Sequence, residues 1–175
     1  MAGINEDIAF VPLRLAVLVI SDTRTEADDR SGKVLKERAL GAGHEVVAHA
    51  IVPDDQARVV EQLRTWIADP QVDAVVSTGS TGITGRDIAP EAFRSVYDKE
   101  IEGFGELFRR LSFESVGVST IQSRATAGVA GGTLLFALPG SPGACRDGWD
   151  GILVHQLDIR YRPCNFAELL PRLQE

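Results

Sequence analysis

The sequence predicts an α/β fold in which a parallel sheet carries helices on both faces. Three observations carry that prediction. Apolar runs of strand length recur at Leu13–Ile20, Glu45–Val52, Val72–Thr78 and Thr133–Leu138. Segments with apolar residues at helical spacing separate most of them, giving crossovers long enough to join parallel strands. Three of the strands end in loops rich in Gly, Ser, Thr or Pro, at residues 21–25, 78–87 and 139–143. In a parallel sheet those ends share one edge, where α/β proteins place their ligands.

Taken in order, residues 1–12 read as a loose N-terminal arm. Leu13–Ile20 is apolar but for one Arg, as expected of a strand buried on both faces. Ser31 is positioned to cap a helix through Leu40 that Gly41 or Gly43 closes. After the second strand, Pro53-Asp54-Asp55 leads into a helix whose Val59, Val60, Leu63, Trp66 and Ile67 share a face, and Pro70 ends it. The third strand runs into the glycine loop. Pro90 begins a helix to about Tyr97. Another spans Ile101–Leu111, where Gly103 and Gly105 each cost about 1 kcal/mol of helix propensity. Thr133–Leu138 is a central strand, and Pro139–Gly143 turns the chain into a helix over 144–157. A polar tail with Arg160, Arg162 and Arg172 runs from Asp158 to Glu175.

At 175 residues, 44% hydrophobic and 25% charged, the chain has the composition of one globular domain. A net charge of −7 argues against non-specific binding to nucleic acid or to an anionic membrane. No apolar run approaches the roughly 20 residues that span a bilayer. The opening Met-Ala-Gly-Ile-Asn-Glu-Asp lacks a basic, then apolar, signal pattern, so the expected location is cytoplasmic. Cys145 and Cys164 have no metal-ligand spacing and read as reduced thiols. With His44, His49 and His155 scattered, no zinc cluster is legible.

The glycine loop, Val76 to Asp87, holds three glycines and several hydroxyl side chains at a strand end. Such a loop offers backbone N–H donors to a phosphate. Its spacing is neither that of a Walker A loop, since no Lys-Ser or Lys-Thr follows, nor GxGxxG; a plain tight turn is the alternative. An acid among those donors disfavours a bare phosphate, so Asp87 points to a metal ion or to chemistry. With Pro90 first in the helix, Ala89 is the cap and Asp87 lies outside it. Asp54 and Asp55 both suit capping of the following helix, or divide the work, with Asp55 capping and Asp54 facing the sheet edge. Arg86, Arg124 and Arg146 each flank a loop near that edge and individually read as solvated surface residues. Ser119 and Ser123 are uninformative alone, and neither cysteine has a neighbouring His to activate it.

Val76-Ser-Thr-Gly-Ser-Thr-Gly-Ile-Thr-Gly-Arg-Asp-Ile-Ala-Pro90, Glu102-Gly-Phe-Gly-Glu106 and Leu138-Pro-Gly-Ser-Pro142 together resemble the molybdopterin-binding MoaB/MogA family of molybdenum cofactor biosynthesis. Gly143-Ala-Cys-Arg146 and Arg160-Tyr-Arg-Pro-Cys-Asn-Phe166 resemble its MoaB branch. The resemblance covers residues 13–166. It implies a single molybdopterin-binding domain between the arm and a 167–175 tail, built as a three-layer α/β/α sandwich with a mostly parallel central sheet.

The resemblance further implies binding of molybdopterin and, in active members, adenylylation of its phosphate by MgATP with loss of pyrophosphate. The alternative is a non-catalytic oligomeric carrier of the pterin. Asp87 matches the family's essential acid after the glycine loop and Asp54 the acid of its Pro-Asp-(Glu/Asp) segment, with catalytic and Mg²⁺-binding roles implied for both. The implied binding set is Ser21, Thr78, Gly79, Ser80, Thr81 and Gly82, then Ser123, Pro139, Gly140 and Ser141. The implied assembly is a homo-trimer or homo-hexamer. Two positions depart from the family pattern. Ser80 replaces the second glycine of Thr-Gly-Gly-Thr-Gly, and Ala137 stands where many MogA-like members have Asn.

Overall fold

Strand β2 (Arg14–Ile20) is buried over nearly its whole length because its side chains alternate between two cores. Leu15 and Val17 enter one cluster, and Ala16, Leu18 and Ile20 the other. A computed structural model describes residues 2–175, so Met1 of the expected arm lies outside the described residues. A two-residue strand, β1 (Gly3–Ile4), precedes β2. After it come α1 (Arg30–Gly41), β3 (Glu45–Val52), α2 (Gln56–Ile67), β4 (Ala74–Thr78) and α3 (Ala89–Arg94). The second half contains β5 (Lys99–Glu100), α4 (Glu102–Val116), β6 (Thr126–Ala130), β7 (Thr133–Leu138) and α5 (Pro142–Gly148).

The six-stranded sheet has the order β3-β2-β4-β7-β6-β5. The pairs β2–β3, β2–β4 and β4–β7 are parallel, while β6–β7 and β5–β6 are antiparallel. This is the expected three-layer, mostly parallel architecture. Leu35 of α1, Phe104 and Phe108 of α4, and Trp149 and Leu153 beyond α5 cover one face. Val59, Leu63 and Trp66 of α2 with Phe93 of α3 cover the other.

Several boundaries differ from the sequence reading, each for a local reason. Asp29, not Ser31, caps α1, its carboxylate accepting the Gly32 N–H at 2.8 Å. Ser31 lies inside the helix and donates to the Gly140 carbonyl at 3.3 Å. Helix α3 begins at Ala89, so Ile88 holds the cap position without a side-chain bond. It also ends at Arg94, freeing Tyr97 to pack on β6. Helix α4 runs past Leu111 to Val116, and a 3₁₀ segment, Gly117–Gln122, extends it. Strand β6 was not foreseen: its Thr-Ala-Gly-Val-Ala is too short in bulky side chains to read as a strand.

The helix expected over 144–157 starts at Pro142, where the Ser141 hydroxyl caps it by accepting the Ala144 N–H at 3.1 Å. A π-helical turn at Trp149–Leu153 interrupts it before α6 (Val154–Gln156). Arm and tail are both folded onto the domain. Strand β8 (Tyr161–Arg162) pairs antiparallel with β1, and Asn165 caps a short α7 (Phe166–Leu169). No helix of the described residues is long and apolar enough to cross a membrane.

Candidate functional site

Because β2, β3, β4 and β7 run parallel, the loops that follow them meet at one sheet edge. The glycine loop is held between its neighbours. Gly79 adopts φ 109° and donates its N–H to the Leu138 carbonyl at 3.0 Å. A side chain at Gly79 would collide with the Ile20 carbonyl, so only glycine lets the loop cross the end of β2. Thr78 is buried and donates its hydroxyl to the Pro139 carbonyl at 2.9 Å, tying the β4 end to the β7 end. The Cys145 thiol points at the same hydroxyl, 3.2 Å away. Burial pushes that thiol up to about 11 against the hydrogen bond to Thr78, so it is neutral and structural at pH 7.

Beyond Gly79 the loop closes on itself. Ser80 sits at φ 58°, in the left-handed region, and its hydroxyl accepts the Ile88 N–H at 2.9 Å. Its carbonyl accepts the Ala89 N–H at 2.9 Å. Asp87 accepts from both the N–H and the hydroxyl of Thr84, at 2.8 and 2.7 Å. Burial raises the Asp87 carboxyl, but the Thr84 and Gly82 donors and the Arg124 charge outweigh it and hold it below the usual carboxylate range. It is therefore an anion at neutral pH. Gly82 lies so close that a side chain there would press on this carboxylate.

Arg124 is not the solvated residue that its sequence context implies. Its guanidinium donates to the Gly82 carbonyl at 2.7 Å and the Asp87 carbonyl at 2.9 Å, and it pairs with Glu91. Its N–H also donates to the Thr81 carbonyl at 3.0 Å. It clamps the glycine loop from behind. The same contact holds the Glu91 carboxyl below its usual range.

In front of the loop lies a cavity of about 710 Å³. It brings together Ser80, Thr81, Gly82, Asp87, Ser123, Pro139, Gly140 and Ser141 from the expected set. Thr78 and Gly79 lie beneath it and shape it without lining it. The opposite wall comes from α4 and the 3₁₀ segment, through Ser112, Ser115, Ser119 and Thr120. That wall has a sequence signal: Ser112, Ser115, Ser119 and Ser123 fall at spacings of three and four, although Gly117 ends α4, so that Ser119 and Ser123 reach the wall from the 3₁₀ segment and the residue after it. Arg146 and Asp147 of α5 close one end. Ala137 is fully buried in the core beside α3, away from the cavity.

Ser21 and Asp54 are one loop removed. The Ser21 hydroxyl accepts the N–H groups of Thr23 and Arg24 at 3.2 and 3.3 Å, folding its own loop. Asp54 and Asp22 each accept the other's backbone N–H, at 3.1 and 3.0 Å. Asp22 pairs in turn with Arg86, which links this loop to the glycine loop. Asp55 caps α2, accepting the Arg58 N–H at 3.0 Å, which is one of the two arrangements the sequence allows, and leaves Asp54 outside the cap. No three His, Cys, Asp or Glu side chains among the described residues converge on one point.

A family profile described as "Probable molybdopterin binding domain" matches residues 16–158. The chain is 53% identical over 157 residues to Molybdenum cofactor biosynthesis protein B of Escherichia coli K12, covering 90% of this chain and 92% of that one. A crystal structure of Molybdenum cofactor biosynthesis protein B superposes with TM-score 0.87 at 38% identity, over 95% of this chain and 99% of the other. The tungsten cofactor synthesizing protein MoaB from Pyrococcus furiosus superposes with TM-score 0.78 at 36% identity, over 94% and 98%.

Proposed function

The chain belongs to the MoaB/MogA family of molybdenum cofactor biosynthesis proteins and carries its molybdopterin-binding domain; from that premise we propose that it binds molybdopterin and transfers the adenylyl group of MgATP to the pterin's phosphate. The observation that carries the reading is Asp87, held as an anion on the wall of a cavity lined mainly by hydroxyls and loop backbone, with Arg146 and Asp147 at one end. A cavity for phosphate binding alone has no use for a carboxylate kept ionised. One for phosphoryl chemistry does, because a carboxylate and a substrate phosphate together hold a hard cation.

In the proposed reaction an oxygen of the pterin phosphate attacks the α-phosphorus of ATP. The bond from that phosphorus to the bridging oxygen breaks, pyrophosphate leaves with the electron pair, and a phosphoanhydride remains. Catalysis is then chiefly positioning and charge neutralisation. Serine and threonine hydroxyls of the α4 wall and the loop Pro139–Ser141 would orient the pterin. The Arg124 clamp would keep the glycine loop from shifting as charge develops.

The donors proposed for magnesium are Asp87, on the cavity wall, and Asp54, which braces the neighbouring loop and does not line the cavity. Asp87 and Asp54 are each half-buried, each braced by backbone N–H donors, and too few to enclose an ion by themselves. Mg²⁺ commonly binds in this way, through one or two carboxylates with substrate phosphates completing its shell. When bound, it would neutralise the phosphates that must approach each other. Asp87 and Asp54 would hold it.

The proposed working assembly is a cytoplasmic homo-oligomer, a trimer or hexamer. Val118 and Ile121 are 78% and 82% exposed beside the half-exposed Phe113 and Val116, an apolar patch of the kind that interfaces cover. The functional test is pyrophosphate release from MgATP that depends on added molybdopterin. Tight pterin binding without such release would instead make the protein a carrier.

A further inference from the structure

The charges lining the cavity do not match the ligand proposed for it. Two carboxylates, Asp87 and Asp147, face a single cation, Arg146. A pterin phosphate adds more negative charge, which a free cationic side chain on the cavity lining would offset directly. The other arginines near the cavity are occupied. Arg124 has its guanidinium on Gly82, Asp87 and Glu91, and Arg86 is paired with Asp22 outside the cavity. Arg146, by contrast, forms no ion pair or side-chain hydrogen bond with the described residues, and it is exposed at the cavity's end.

Its neighbouring acids leave it free. Asp150, one helical turn on, is held by the Arg38 guanidinium through two bonds of 2.7 and 3.0 Å. Asp147 is adjacent in sequence, so the two side chains leave the helix about 100° apart. Glu114, which lines a neighbouring surface depression together with Arg146, is exposed and forms no ion pair among the described residues. A guanidinium matches a phosphate monoester in shape and charge, since its planar fork gives two parallel donors to two oxygens.

We infer that Arg146 is the residue that recognises the phosphate of the pterin, and that it fixes which way round the ligand lies along the cavity. The inference deepens the pterin-phosphate reading and rests on it. Asp87 then remains for the cation and the incoming nucleotide. The Arg146 end of the cavity selects phosphorylated pterins over their dephosphorylated counterparts.

The test is a set of equilibrium titrations of wild type, Arg146→Ala and Arg146→Lys. Two probes are used: molybdopterin, and the same pterin after phosphatase treatment. Arg146→Ala should weaken binding of the phosphorylated pterin by about 10- to 100-fold and leave the dephosphorylated one unchanged. Arg146→Lys should recover part of the loss. Equal losses on both probes would reduce Arg146 to a packing residue, and no loss on either would remove it from the site; both outcomes overturn the inference alone. Failure of the wild type to bind either pterin overturns the functional reading and the inference with it. Unchanged melting temperatures across the three proteins show that the exposed side chain was replaced without unfolding.

Discussion

Ser80 is the only non-glycine with a left-handed backbone among the described residues, and its hydroxyl explains how that conformation persists. Left-handed φ costs an L-residue about 1 kcal/mol or more. The hydroxyl offsets it by accepting from Ile88 and donating to the Arg86 carbonyl, which closes the loop around Asp87. Ser80→Gly relieves the strain and loses the bonds, and should leave urea stability within about 1 kcal/mol of wild type. Ser80→Ala keeps the strain and loses the bonds, and should cost about 1–2 kcal/mol. An alanine variant as stable as wild type would show that the hydroxyl does not close the loop. At this scale, Asp87 was legible because no helix needed it as a cap. The clamp by Arg124 was not, since its partners lie 33 to 42 residues earlier in the chain. Nothing in a linear pattern marks an arginine aimed at distant carbonyls.

At the scale of elements, α2 separates two acids that look interchangeable in sequence. Asp55 caps the helix, whereas Asp54 braces the loop after β2. Asp55→Ala should therefore cost about 1 kcal/mol in chemical denaturation while leaving pterin and nucleotide binding intact. Asp54→Asn should do the reverse, weakening magnesium-dependent nucleotide binding with stability within about 0.5 kcal/mol. Matching stability losses in the two variants would contradict the division. The strands β2, β3, β4 and β7 were legible because apolar runs of that length have few other fates. Strand β6 escaped because its small residues carry little β signal and its stability comes from pairing with β7. The hydroxyl wall was written in the serine spacing, but it becomes meaningful only once α4 is seen to extend to Val116 and to face α5.

For the whole molecule, His44 joins the arm, the sheet and the helical segment that follows β7. Its Nδ1 accepts the Leu13 N–H at 3.1 Å, and its ring lies 5.3 Å from Phe10 and 6.3 Å from Trp149. Burial holds the imidazole below its ordinary range, against the pull of Asp158. The unfolded chain thus takes up a proton first as pH falls below about 6.5. Stability is full above that pH and is lost as pH falls toward the folded-state value, by up to about 1.4 kcal/mol per pH unit. Melting temperature should drop between pH 7.5 and 5.5, and less so in His44→Asn, whose Oδ1 still offers Leu13 an acceptor. An equal drop in both proteins would remove His44 from the acid response. The global architecture brings the ends of β4 and β7 together so that Asp87 faces the cavity as an anion, and the proposed chemistry depends on that carboxylate. The most direct test compares wild type with Asp87→Asn for molybdopterin binding and for pyrophosphate release from MgATP plus molybdopterin. The account predicts near-equal pterin affinity, with release lowered at least about 100-fold in the variant. Wild-type protein that binds the pterin but releases no pyrophosphate, or a variant that turns over at the wild-type rate, would contradict it.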